Sequence, residues 1–76
     1  MIKPDELEVL LTEAELTDLI PAKRRNNFAY GLNQYFQELC GMGVFLSDIP
    51  FKHLRLRARK AIVNSYYRLY MVQMEK

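Results

Sequence analysis

Residues 24–43 read RRNNFAYGLNQYFQELCGMG, and the spacing within this stretch decides the fold class. Phe28, Leu32, Tyr35, Phe36 and Leu39 recur at intervals of three and four, the period of one face of an α-helix. Gly41 and Gly43 then supply a stop, because glycine accepts the left-handed conformation common at helix C-termini. The pattern predicts a helix over about 24–40. Gly31 lies beside the apolar stripe, where a missing side chain lets another helix approach closely.

Upstream, Pro4 suits the first turn of a helix, and Leu7, Leu10 and Leu11 share one helical face. Thr12-Glu13-Ala14-Glu15 fits a capping box, with Leu11 and Leu16 spaced for a hydrophobic staple around it. These signals predict one helix over about 4–11 and another over about 13–20; a single helix through Thr12 is the alternative. Pro21 ends this region, because the residue before a proline is pushed out of the helical conformation. Downstream, Val44-Phe45-Leu46 is the only β-like stretch, too short to build a sheet. Ser47 or Asp48 can cap a last helix with Pro50 in its first turn, running to about Gln73. The chain reads as all-α: one domain over residues 1–76, of three or four helices, closed by a long C-terminal helix.

Composition narrows the class. Half of the residues are hydrophobic, which argues against disorder. Cys40 is the sole cysteine, so no internal disulfide forms, whereas a secreted domain of this size usually carries several. No run of 18 apolar residues is present, and Met1-Ile2-Lys3-Pro4-Asp5-Glu6 lacks the apolar centre of a signal peptide. The expectation is a cytoplasmic protein with no membrane partner.

Charge is strongly polarised. Residues 1–20 set Lys3 against Asp5, Glu6, Glu8, Glu13, Glu15 and Asp18. Residues 49–76 set Lys52, Arg55, Arg57, Arg59, Lys60, Arg68 and Lys76 against Glu75 alone. Either one of these segments binds a partner, or they fold against and neutralise each other.

Catalytic chemistry finds no foothold. The single histidine, His53, sits in a basic run and reads as a solvated surface residue. Cys40 falls near a helix C-terminus, the wrong end for a stabilised thiolate. No Cys/His cluster has metal-ligand spacing, and no glycine-rich phosphate loop occurs. The expectation is a protein without enzymatic activity, cofactor or metal.

Three features point to binding. Lys52-His53-Leu54-Arg55-Leu56-Arg57-Ala58-Arg59-Lys60 places five cations in nine positions, and guanidinium forks suit phosphates. Lys23, Arg24 and Arg25 form a second cluster, followed by Asn26 and Asn27 as candidates for base-edge contacts. In its setting after Leu11–Ile20, this cluster resembles the opening of a helix-turn-helix reader of the excisionase kind, over about residues 10–25. That resemblance implies that polar residues opening the following helix touch DNA. Pro21 stands where a glycine is usual there and Asn27 where an apolar core residue is expected; the chain also continues into a long helix instead of a β-wing.

The third feature is Tyr66-Tyr67-Arg68-Leu69-Tyr70-Met71-Val72-Gln73-Met74, apolar nearly all round its helix. Ile62, Tyr66 and Leu69 read as core. Val63, Tyr67, Tyr70, Met71 and Met74 read as a second apolar face, an interface for self-association or a partner. The leading expectation is a dimeric nucleic-acid-binding regulator. The alternative is an adaptor or inhibitor, of the compact type encoded by phages and mobile elements, that docks on a larger host protein. The two differ in where the basic clusters fall. One shared exposed face favours nucleic acid, and acidic helices covering residues 52–60 favour a protein.

Overall fold

The structure is a computed structural model and describes residues 2–44 and 50–74. The described chain is all-α, with α1 at Pro4–Glu13, α2 at Arg25–Gly41 and α3 at Leu56–Met74. Short 3-10 turns at Thr17–Leu19, Ala22–Arg24 and Phe51–His53 link them. The proposed caps Ser47 and Asp48 lie outside the described residues.

α1 opens with Pro4 at its first position, where the missing N–H has no helical partner to lose, and with Asp5 and Glu6 in its positive first turn. It continues through Thr12, so the capping box does not form. The Thr12 hydroxyl instead donates back to the Glu8 carbonyl at 2.9 Å, inside the helix. The helix closes one turn later. Glu15 adopts φ 61°, its N–H donates to the Thr12 carbonyl at 3.1 Å, and the Leu16 N–H reaches the Leu11 carbonyl at 2.8 Å. This left-handed closure satisfies carbonyls that the helix end leaves open.

The helix expected over 13–20 is therefore absent, reduced to the turn Thr17–Leu19. Leu16 and Ile20 fold onto the core instead, while Leu19 stays in water. Eight residues gain little from propagating a helix, and Pro21 removes its last turn. With that helix gone, no second α-helix precedes α2, and the helix-turn-helix likeness does not extend to the fold.

α2 matches its predicted span to within one residue at each end and closes the same way as α1. Gly43 takes φ 81°, with Gly43 N–H donating to Cys40 O and Val44 N–H to Leu39 O, both at 3.0 Å. The last helix starts later than expected. Phe51 is buried in its 3-10 turn, Leu54 is extended at ψ 155°, and α3 begins only at Leu56.

One core joins all three helices. Leu7, Leu10 and Leu11 come from α1, Phe28, Ala29 and Leu32 from α2, and Ile62, Val63, Tyr66 and Tyr70 from α3. Phe28 meets Tyr66 and Tyr70 edge-on at 5.0 and 5.2 Å, a favoured aromatic geometry. Phe36 and Phe51 stack edge-on at 5.0 Å, seating the turn before α3. Gly31 is needed for this packing, because a Cβ there would stand 1.7 Å from Tyr66 Oη. Burial, with Tyr70 beside it, holds the Tyr66 phenol above its ordinary pKa. Asn33 pins the chain start, accepting from the Ile2 N–H at 2.9 Å and donating to the Ala29 carbonyl at 3.0 Å.

Candidate functional site

The two basic clusters meet different fates, and α1 decides both. Arg25 turns inward. Its Nε donates to the Ile20 carbonyl at 2.9 Å, one terminal nitrogen to the Thr17 carbonyl at 2.9 Å, and the other pairs with Glu8. Arg59 does the same at the start of α3. Its guanidinium grips the Glu13 carboxylate at 3.0 and 3.3 Å and donates to the Leu54 carbonyl. The Arg59 and Glu13 side chains are only 19% and 22% exposed, so this forked pair is shielded from water. Arg59 thus ties α1 to α3 and satisfies the backbone break at Leu54.

Helix phase explains why these two arginines differ from their neighbours. Ile62, Val63 and Tyr66 follow Arg59 at three, four and seven residues, and all are buried. Phe28, Ala29 and Leu32 follow Arg25 at the same intervals and are buried too. Each arginine therefore starts the core-facing stripe of its helix. That signal was present in the sequence; what it could not supply was the identity of the two carboxylates.

Arg25 and Arg59, expected to meet phosphates, are instead engaged within the chain by Glu8, Glu13 and loop carbonyls. The remaining cations stay outward. Lys52, Arg55, Arg57 and Lys60 are exposed, as is His53, and among the described residues none has a carboxylate partner. Lys23, Asn26 and Asn27 are exposed near the start of α2, and Arg24 reaches Met74 Sδ at 3.2 Å. That contact places the Arg24 end beside the last turn of α3. With a rise of about 1.5 Å per residue, Met74 lies about 25 Å along α3 from Arg57. The two clusters therefore do not share one face, which withdraws that sign of a nucleic-acid reader. The acidic α1 engages Arg59 but leaves Lys52, Arg55, Arg57 and Lys60 exposed, so the sign of a protein partner is not met either.

The expected second apolar face on α3 divides as well. Val63 is 0% exposed and Tyr70 5%, so both are core and offer nothing to a partner. They lie in phase with Ile62 and Tyr66, and Phe28 stacks on Tyr70. Tyr67 packs half-buried against the same core. Met71 and Met74 remain exposed. Leu69, expected in the core, is 49% exposed, and its neighbour Val72 is 55% exposed. The outward apolar end of α3 is therefore Leu69, Met71, Val72 and Met74. Ser65 and Arg68 are exposed and Asn64 is half-buried on a helix that contains no Asp or Glu from Leu56 to Met74.

Among the described residues no group of His, Cys, Asp and Glu is placed to hold a metal ion, and no helix is long and apolar enough to cross a membrane. No protein-family model matches the chain, and neither a curated protein nor a solved structure matches it significantly.

Proposed function

We propose that this chain is a small non-enzymatic nucleic-acid-binding protein that meets phosphates with the cationic start of α3. One observation carries the reading. Lys52 and Arg55 precede and Arg57 and Lys60 open a 19-residue helix, all four exposed and without a carboxylate partner among the described residues. Glu13, the carboxylate of α1 that reaches this end, is engaged by Arg59. Cations at a helix N-terminus oppose the helix dipole and lower stability. α1 obeys the dipole rule with Asp5 and Glu6; α3 has no acidic residue in its first turn. An arrangement that works against the helix is accounted for by an anion that it receives. The protein would act by occupancy, as a regulator does.

Fluorescence anisotropy on labelled duplex and single strands tests this. Binding should weaken steeply with salt, because each neutralised phosphate releases counterions. Arg55→Ala with Arg57→Ala should lower affinity and reduce the slope of log K against log salt by about two. Absence of binding to every nucleic acid at low salt would overturn the proposal.

A second reading rests on Leu69, Met71, Val72 and Met74, which present apolar surface at the other end of α3. Such a surface suits a second copy or a host protein. Light scattering decides the first, since a monomer at all micromolar concentrations excludes self-association through it.

A further inference from the structure

Within the nucleic-acid reading, on which this inference rests, the outer face of α3 carries a finer pattern. Arg57, Lys60, Asn64 and Arg68 succeed one another at three, four and four residues. At about 100° and 1.5 Å per residue they form a row about 16 Å long, inside an arc about 80° wide. The arc points away from buried Ile62, Val63, Tyr66 and Tyr70. Arg57, Lys60 and Arg68 are exposed. Asn64 lies at the centre of the arc, with Lys60 on one flank and Arg57 and Arg68 on the other.

Asn64 donates one amide hydrogen to the Lys60 carbonyl at 2.9 Å. Asn64 is half-buried, and its second hydrogen and its Oδ1 have no partner among the described residues, which leaves one donor and one acceptor unused. That is the pair an asparagine uses on the N6 and N7 edge of adenine. Of the groups beside the row, Ala61 and Ser65 are small and exposed, while Tyr67 is half-buried against the core. Bulky apolar residues flank the row at both ends, Leu56 before Arg57 and Leu69, Met71 and Val72 beyond Arg68.

We infer that α3 lies in the major groove of duplex DNA, with Asn64 at base edges and Lys60, Arg57 and Arg68 on the phosphates of the two walls. A helix with its side chains is about 10–12 Å across and the groove about 12 Å wide, so the face from Arg57 to Arg68 fits. The major groove of duplex RNA is too narrow and deep to admit it.

The test uses the whole chain with three probes of matched sequence: duplex DNA, duplex RNA and single-stranded DNA. It adds selection of preferred sites from a random duplex pool. Duplex DNA should bind most tightly. Arg68→Ala should weaken binding evenly across sequences and reduce the salt slope by about one. Asn64→Ala should keep the salt slope and lose discrimination at one base pair, by about tenfold. Circular dichroism checks that both variants remain helical, as expected for residues outside the core. Binding that responds to Arg55 and Arg57 but not to Arg68 or Asn64 overturns the groove placement and leaves the phosphate reading standing. Equal or tighter binding of single strands or duplex RNA overturns it likewise. No binding to any probe removes both.

Discussion

α1 and α2 end in the same backbone device built from different residues. After α2 the left-handed position is Gly43, for which φ 81° carries no side-chain penalty. After α1 it is Glu15, whose Cβ makes φ 61° unfavourable by about 1–2 kcal/mol. The end of α2 is thus favoured by its own residues, whereas the end of α1 is imposed by what surrounds it. Leu11, Leu16 and Ile20 are drawn into the core on either side of Glu15, and Arg25 holds the loop by the carbonyls of Thr17 and Ile20. The difference teaches that a helix end can be read locally only where the local residue wants it.

The largest expected effect comes from removing the latch. Arg25→Met keeps an apolar stem of similar length but leaves two loop carbonyls and Glu8 without their donor. Hydrogen bonds to a charged group contribute about 1.5–3 kcal/mol, so the thermal midpoint should fall by about 10 °C or more. A midpoint within 2 °C of the parent, by circular dichroism, would show that the loop after α1 holds itself.

A reciprocal pair sharpens the comparison at smaller scale. Glu15→Gly should raise stability by about 0.5–1 kcal/mol, and Gly43→Ala should lower it by about 1 kcal/mol. Urea unfolding of both variants reads the two signs; the same sign for both would end the argument from backbone strain.

Thr12→Ala should do least, changing stability by no more than about 0.5 kcal/mol. A back-bonded hydroxyl within a helix is a minor contributor, whereas a true N-cap contributes about 1 kcal/mol. A loss near the larger value would restore a helix start at Thr12.

The misreading of residues 11–16 has a definite cause. A staple at a helix start and the apolar pair across a left-handed helix end both join residues five apart, and Leu11 and Leu16 satisfy either. Thr12 and Glu15 tipped the reading toward a start, because no glycine marked the end. The candidate site was legible in a similar measure. The cationic run at 52–60 was visible as charge, but the period carried its helix back to Pro50 and charge alone set Arg59 among the phosphate ligands. The carboxylates of Glu8 and Glu13 could not be assigned, because they come from a different helix and depend on how α1 lies across the others.

The sequence by itself determined that the chain is helical, where α2 lies, and that its C-terminal part is cationic, because period, glycine stops and net charge are local properties. Tertiary structure alone decided that α1 runs to Glu13 and turns at a glutamate. It also decided that Leu54 breaks the last helix, that Val63 and Tyr70 are core, and that Arg25 and Arg59 are latches while their neighbours face water. In each case a residue's fate depends on a side chain distant in sequence. Burial of an apolar ring or pairing of a guanidinium then outweighs a local preference of about 1 kcal/mol.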